Sequence, residues 1–180
     1  MTDSSMTAKI TPLAATSPTH RAPAFTTGNP AAIAMTRIAA WPLYGGAASV
    51  MRSRDLVRGA LTALGLAEPA VDDGVLMVSE LVTNALRHAQ GPYELRLRRG
   101  DESVVCEVVD GSPAVPPLPR NAAACRTLAE IDSTDDQARL EMGRGLDVVW
   151  QLSGGRCGTG PTTTTCSETA AKAVWFALTL

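Results

Sequence analysis

The amino-acid sequence predicts an α+β fold of two layers, in which helices lie on one face of a β-sheet. Two observations carry this prediction: apolar residues recur at helical spacing through residues 47–89, and the period switches to two from residue 93. A further alternating segment closes the chain at residues 173–179. The order helix, helix, hairpin, loop, helix, strand is typical of a sandwich with one sheet and one helical layer.

Length and charge exclude several classes of protein. The chain has 180 residues, of which 45% are apolar, so we expect one domain with a sizeable core and exclude general disorder. A formal charge of -2 gives no electrostatic reason to bind nucleic acid or an anionic membrane. No apolar run approaches the ~18 residues that span a bilayer, and Pro12 and Pro18 interrupt any signal-peptide core. We therefore expect a cytoplasmic protein.

The N-terminal segment differs in composition from the rest of the chain. Residues 1–35 are rich in Thr, Ser, Pro and Ala with almost no charge, which predicts a flexible tail before a domain at 36–180. Residues 36–43 predict an edge strand, because Pro42 and Gly45 stop it.

Two amphipathic helices follow this strand. The first is expected at 47–64, with Gly65 as its stop. The second begins near Pro69, because a proline is tolerated in the first turn, and runs to about residue 89. The residues expected on its core-facing stripe are Val71, Val75, Val78, Val82 and Ala89.

A hairpin and a long loop come next. Strands are expected at 93–98, where apolar and charged residues alternate, and at 103–109, which is rich in valine. Residues 113–119 are rich in proline and residues 120–142 are polar, which predicts a mobile loop. A short helix is expected within it, near 122–128.

The C-terminal part predicts one helix and one strand. The helix is expected at 145–152, directly after glycines, and Gly154 ends it. A glycine- and threonine-rich connection then leads to the last strand at 173–179.

The common metal and nucleotide motifs are missing from the sequence. Four cysteines are present: Cys106, Cys125, Cys157 and Cys166. They form no C-x-x-C pair and match no common zinc spacing, so we expect free thiols, and two histidines are too few for a multi-histidine metal site. There is no P-loop, and Val148 occupies the last glycine position of a G-x-G-x-x-G motif that would open at Gly143.

The second helix carries the most unusual feature of the chain. Glu80, Asn84 and His88 follow one another at intervals of four residues, so they share one stripe, opposite the apolar one. A solvated polar face would give the same pattern, but two further features favour a binding site. Asp110 lies where a valine-rich strand ends, and Gly143-Arg144-Gly145-Leu146 places glycines before a predicted helix, whose N-terminal N–H groups would bind an anion. Asparagine and glutamate on a facing helix can hold a hydrated metal and orient a nucleophile.

These residues resemble three motifs of a known family. The string ELVTNALRHA, from Glu80 to Ala89, resembles the N-box of the histidine-kinase-like (Bergerat-fold, GHKL) ATPases, especially their small bacterial anti-sigma factor and serine-protein kinase branch. Asp110-Gly111 is similar to the start of the adenine-binding box and Gly143-Arg144-Gly145-Leu146 to the glycine box, in the family's order within residues 36–180. The resemblance implies a two-layer α/β sandwich with a mixed, mostly antiparallel sheet covered by helices on one face.

The resemblance also implies a role for each of these residues. Glu80 is expected to be the general base, Asn84 the Mg²⁺ ligand and Asp110 the acceptor of the adenine amino group. His88 would shape the site or close the helix end, and residues 113–142 would form the ATP lid. The remaining expected contacts with ATP are Gly111, Ser112, Gly143, Arg144, Gly145 and Leu146. The implied cofactors are ATP and Mg²⁺.

The adenine box departs from the family's pattern. It usually reads D-x-G-x-G, whereas this chain has Asp110-Gly111-Ser112-Pro113-Ala114, so both later glycines are missing. Ser112 can still donate a hydrogen bond, but Pro113 stiffens the turn and lacks a backbone donor. We therefore expect weak nucleotide affinity.

For function, the resemblance implies an ATP-binding regulatory protein. It would be an anti-sigma factor, homodimeric like others of its branch, that binds a sigma factor and phosphorylates an anti-sigma antagonist on serine or threonine. The alternatives are a nucleotide- or partner-binding module without phosphotransfer and a small ATP hydrolase. Intact Glu80 and Asn84 favour catalysis, whereas the altered adenine box favours binding alone. The phospho-accepting histidine box of sensor kinases is missing, which excludes a complete histidine kinase.

Overall fold

The computed structural model of the protein describes residues 35–112, 137–165 and 168–180, with the backbone alone described for 137–144. The expected tail up to residue 34 and the expected short helix near 122–128 lie outside these ranges. The elements are β1 (Thr36–Leu43), α1 (Ala47–Ala63), α2 (Glu68–His88), β2 (Tyr93–Arg99), β3 (Ser103–Asp110), α3 (Gln137–Leu152), β4 (Cys157–Thr163) and β5 (Ala170–Thr179). None of the helices in the described ranges combines the length and the apolar character that a membrane crossing requires.

The described strands form one five-stranded sheet in the order β1-β2-β3-β5-β4. Every neighbouring pair is antiparallel, so this sheet is antiparallel throughout rather than mixed. The main core lies between one face of the sheet and the helices. Helix α2 contacts the central strands β3 and β5 and packs against both α1 and α3. The predicted two-layer α+β architecture is confirmed.

The sequence signals at the helix ends act as expected. Gly65 follows α1 with a positive φ of 83°, a conformation that glycine adopts without strain, and the Leu66 N–H then donates to the Leu61 carbonyl. Pro69 lies in the first turn of α2. The four predicted core valines of α2 are buried, but Ala89 lies beyond the last helical residue and is only half-buried.

One strand was not predicted. β4 lies in the segment that the sequence analysis assigned to a connection, because its residues, Cys157–Thr163, are mostly glycine, threonine and proline. It forms because β5 offers an antiparallel partner and because the Trp175 indole lies over Gly158, where no side chain stands in its way. Among the described strands β1 and β4 are the edges, and each contains a proline, Pro42 and Pro161.

The face of the sheet opposite the helices buries charged groups. Glu94 and Arg96 are 4% and 3% exposed, although alternation alone predicts them on the polar side of a half-buried strand. They pair in a bidentate ion pair, with Arg96 Nε 2.9 Å from Glu94 Oε1 and Nη2 3.1 Å from Oε2. The segment after β4 folds over them: the Thr165 N–H donates to Glu94 Oε2 at 2.9 Å, and Arg96 donates to the Thr163 carbonyl. These contacts satisfy both charges and hold the end of β4 and Thr165 against them.

Two of the four cysteines lie in the described ranges. Cys106 and Cys157 are buried free thiols of the main core, as expected. Burial raises the pKa of both thiols, and a hydrogen bond with Ser153 offsets part of the rise for Cys157. Because the thiolate is the reactive form of cysteine, both residues act as small apolar core residues.

The contact between Gly158 and Trp175 gives a first prediction. A Cβ at Gly158 would lie 2.3 Å from Trp175 Cζ2, so we expect Gly158→Ala to displace the buried indole and lower the free energy of unfolding by about 1–3 kcal/mol. Gly59→Ala is the matched control, because nothing lies within 4 Å of a Cβ there and alanine favours the helix by up to about 1 kcal/mol. Urea unfolding of both variants measures the difference. Equal stability of the two variants would contradict the packing described for β4.

The buried pair on the opposite face gives a second prediction, about pH. Burial raises the pKa of Glu94, but hydrogen bonds from Arg96 and Thr165 more than offset this, and the net pKa is lowered. The contribution of Glu94 to stability is therefore full above the unfolded-state pKa and is lost as the pH falls through the lower folded-state pKa. We expect Glu94→Gln to destabilise the protein strongly at about pH 7 and less at about pH 3, in urea unfolding experiments. Glu102→Gln, in the exposed β2–β3 turn, is the control, and a Glu94→Gln deficit that is independent of pH would disprove the assignment.

Candidate functional site

The polar stripe of α2 lies beside α3. Glu80 and Asn84 are half-buried, one helical turn apart, on the side of α2 that the buried valines leave free. A Cβ at Gly145 would lie 2.8 Å from Glu80 Oε2 and 3.6 Å from Glu80 Cβ. Any side chain at this position of α3 would therefore displace the Glu80 carboxylate. The structure thus brings together Glu80 of the predicted N-box and Gly145 of the predicted glycine box, 65 residues apart in the chain.

His88 is placed differently from Glu80 and Asn84. It is the last residue of α2 and its side chain is exposed. Of the two roles expected for it, closing the end of the helix matches this position, because a basic group at a helix C-terminus interacts favourably with the helix dipole.

Asp110 ends β3 on the helix side of the sheet. Its side chain points to the same face as Val104, Cys106 and Val108, which belong to the main core, and it is 2% exposed. Its Oδ1 accepts two hydrogen bonds, from the Lys172 Nζ at 2.7 Å and from the Ser112 N–H at 3.0 Å. The Asp110 carboxylate is thus a buried and oriented acceptor at the end of the sheet.

Lys172 is a buried residue beside the candidate site that the sequence analysis missed. It lies opposite Asp110 in the β3–β5 ladder, is 6% exposed, and forms a buried ion pair with it. The sequence did contain an indication of its burial. Alternate residues of a strand share a face, so Lys172 lies on the face of β5 that carries the core residues Val174 and Phe176. What the sequence did not supply was the pairing of β3 with β5, which brings together residues 62 positions apart.

Gly111, directly after Asp110, packs too closely against another backbone segment to carry a side chain. The Gly111 N–H donates to the Gln90 carbonyl at 2.9 Å, and a Cβ at Gly111 would lie 2.8 Å from the Gly91 carbonyl oxygen. Two backbone segments therefore meet here: the end of β3 and the turn that follows α2. The Ser112 N–H donates to the Asp110 side chain. This is an Asx turn, in which an aspartate side chain accepts a hydrogen bond from the backbone N–H two residues on.

The expected start of the third helix was wrong. Gly143-Arg144-Gly145-Leu146 lies inside α3, which begins at Gln137, rather than before it. The residues from 137 to 142 are Gln, Ala, Arg, Leu, Glu and Met, all good helix formers, and each glycine costs the helix only about 1 kcal/mol. In this structure the N-terminal N–H groups of α3 are about two turns from Gly145, so they do not support an anion site at these glycines. Leu146 is buried in the main core, and the Arg144 side chain lies outside the described part.

A cavity opens at the same end of the sheet as Asp110. It measures about 320 Å³ and lies between the end of β1, the turn after α2 and the start of β2. Its lining residues are Pro42, Leu43, Tyr44, Gly91, Pro92, Tyr93, Glu94 and Thr164. None of the candidate residues Glu80, Asn84 and Asp110 lines it, so it is separate from the site that the three motifs define.

Comparison with protein families identifies the family of this chain. The chain belongs to the histidine kinase-like ATPase domain family, which matches residues 46–154 and so includes α1, α2, the β2–β3 hairpin and α3. Membership implies a nucleotide-binding domain. Comparison with curated proteins found no match.

A solved structure shares the fold. A chain of the SiaB-SiaC complex from Pseudomonas aeruginosa superimposes with a TM-score of 0.50 over 79% of this chain and 91% of that chain, at 13% sequence identity. At this identity the likeness concerns the fold.

The Asp110–Lys172 pair gives a third prediction. Lys172→Met would leave the Asp110 carboxylate buried without its partner, so we expect the free energy of unfolding to fall by about 3–5 kcal/mol in urea experiments. Replacing both residues, as Asp110→Leu with Lys172→Met, removes the unpaired charge and should restore most of this loss. Arg58→Met is the control, because its pair with Asp72 is half exposed and is expected to contribute about 1 kcal/mol or less. A loss for Lys172→Met as small as that of the control would show that the pair does not hold the sheet end together.

Proposed function

We propose that the protein is an ATP-binding regulator of the partner-switching kind, found in the cytoplasm: an anti-sigma factor that phosphorylates an anti-sigma antagonist on serine or threonine. The observation that carries the proposal is the position of Glu80, whose carboxylate lies against Gly145 and one turn from Asn84. A half-buried carboxylate that lies one helical turn from the proposed metal ligand, with no side chain at Gly145 to displace it, suits a general base. Family membership supports the nucleotide, and the anti-sigma role follows from the N-box resemblance.

The residues present fit ATP and Mg²⁺. Asn84 offers an amide oxygen, a hard ligand of the kind that Mg²⁺ prefers, and Gly145 carries no side chain that would displace the neighbouring Glu80 carboxylate. Asp110 offers a buried acceptor for an amino group, which distinguishes adenine from guanine. Mg²⁺, when bound, neutralises charge on the phosphates.

The proposed reaction uses Glu80 as a base. Glu80 takes the proton from the attacking serine or threonine hydroxyl while that oxygen bonds to the γ-phosphorus and the bond to ADP breaks. Asn84 holds the metal ion in place, and Asp110 orients the adenine end of the nucleotide. Because these residues lie on α2 and β3, the rigid core positions each of them.

The protein partner is proposed on two grounds. A transferred phosphoryl group needs an acceptor, and the N-box resemblance points to a family branch in which the acceptor is an anti-sigma antagonist. A protein of the same fold occurs in the SiaB-SiaC complex, which supports a protein as partner. A sigma factor as second partner and a homodimer remain parts of the proposal drawn from the resemblance.

Two substitutions test this mechanism. Glu80→Gln keeps the shape of the side chain but removes the base, so we expect phosphotransfer from labelled ATP to candidate antagonist proteins to fall by about 10²–10⁴. ATP affinity, measured by calorimetry, should stay nearly unchanged. Asn84→Ala should instead abolish the gain in affinity that Mg²⁺ gives, together with turnover.

The control is Glu102→Gln, the same chemical change in an exposed turn, which should leave both readouts unchanged. Full phosphotransfer by Glu80→Gln would reject the role of Glu80 as base. ATP binding by the wild-type protein without transfer to any antagonist would favour the alternative, a nucleotide- or partner-binding module.

A further inference from the structure

The chain has two lysines, Lys9 and Lys172, and the second is buried against Asp110 of the candidate site. Its Nζ lies 2.7 Å from Asp110 Oδ1, the carboxylate proposed to accept the adenine amino group. The other positively charged side chains are arginines, whose planar guanidinium groups are larger and tend to bind through two N–H donors at once. A compact ammonium group therefore lies within hydrogen-bonding distance of the base-reading carboxylate.

We propose that Lys172 is a base-recognition residue, which donates a hydrogen bond to the ring nitrogen N1 of adenine while Asp110 accepts one from the adjacent amino group. This inference rests on the proposed function, because it assumes that Asp110 reads adenine. Nothing in the family's motifs, as they stand in this sequence, assigns a role to Lys172.

The chemistry of the pair matches the edge of adenine. That edge presents a donor, the exocyclic amino group, next to an acceptor, N1. Asp110 alone matches only the donor, since an ionised carboxylate accepts and never donates. With Lys172 beside it the site presents an acceptor and a donor side by side, so both polar groups of the adenine edge find a partner.

The same pair rejects purines that carry an oxygen at position 6. Guanine and hypoxanthine have an acceptor where adenine has its amino group, and an N–H where adenine has N1. In the pose that fits adenine, their oxygen would face the Asp110 carboxylate and their N–H would face the Lys172 ammonium. These bases would thus make one acceptor–acceptor and one donor–donor contact in a desolvated site. Two such contacts weaken binding of the wrong base more than one does, because each leaves buried polar groups unpaired.

Burial makes the contribution of Lys172 large. The residue is 6% exposed and its partner 2%, so water competes little for either group and their hydrogen bonds to a ligand are strong. The position of the ammonium is also fixed, since Lys172 and Asp110 are direct partners in the β3–β5 ladder and the Ser112 N–H holds the same carboxylate oxygen. The altered adenine box thus retains an ordered acceptor and gains a donor from another strand.

The test compares nucleotide analogues on the full-length wild-type protein by calorimetry with Mg²⁺. In 1-deaza-ATP a CH group replaces N1, so we expect it to bind about 10- to 100-fold more weakly than ATP, the range for a lost hydrogen bond to a charged group. The control is 7-deaza-ATP, which carries the same nitrogen-to-CH change on the opposite side of the base and should bind like ATP. ITP should bind more weakly than 1-deaza-ATP, because it meets two mismatches.

The variant Lys172→Met provides a second comparison of the same two nucleotides. It should bind ATP and 1-deaza-ATP with equal affinity, and circular dichroism shows whether it is folded. Because this variant also leaves Asp110 unpaired, the comparison of analogues on the wild-type protein decides the question without it. Equal binding of ATP and 1-deaza-ATP by the wild type overturns the role of Lys172 and leaves the proposed function standing. No ATP binding at all overturns both.

Discussion

The packing of α2 across the centre of the sheet is the constraint on which the rest of this molecule depends. One stripe of the helix is buried against β3 and β5, and this fixes the direction of the opposite stripe, which carries Glu80 and Asn84. The end of the same helix leads into the turn in which the Gln90 carbonyl accepts a hydrogen bond from the Gly111 N–H. Glu80, Asn84 and the end of β3 are therefore oriented by one packed element, and a change in its register would move all of them.

The sequence predicted those parts of the fold that local patterns specify. β1 and both long helices lie within one or two residues of their expected bounds, because Pro69, Gly65 and the spacing of valines act locally. β4 was missed, since a segment of glycine and threonine becomes a strand only where another strand offers its free edge. The length of α3 was missed for a related reason: glycines 143 and 145 resemble a helix boundary, and only the three-dimensional structure shows that the helix continues through them.

The sequence predicted those residues of the candidate site that lie in recognisable motifs. Glu80 and Asn84 share a helical face by spacing alone, but the contact between Glu80 and Gly145 depends on how α2 and α3 pack. Lys172 carried no motif at all, and its pairing with Asp110 follows from a strand order that skips an intervening helix and strand. The Asp110 carboxylate is held by two groups, the Ser112 N–H and the Lys172 ammonium, and only the first belongs to the local sequence around it.

The prolines of the two edge strands have a consequence for how copies of this protein meet. A sheet edge with a continuous row of free N–H and carbonyl groups would template the addition of a strand from another molecule. Pro42 in β1 and Pro161 in β4 each remove one donor from that row and disfavour an incoming strand. Both edges of the described sheet are therefore poor templates for a strand from another copy of the chain.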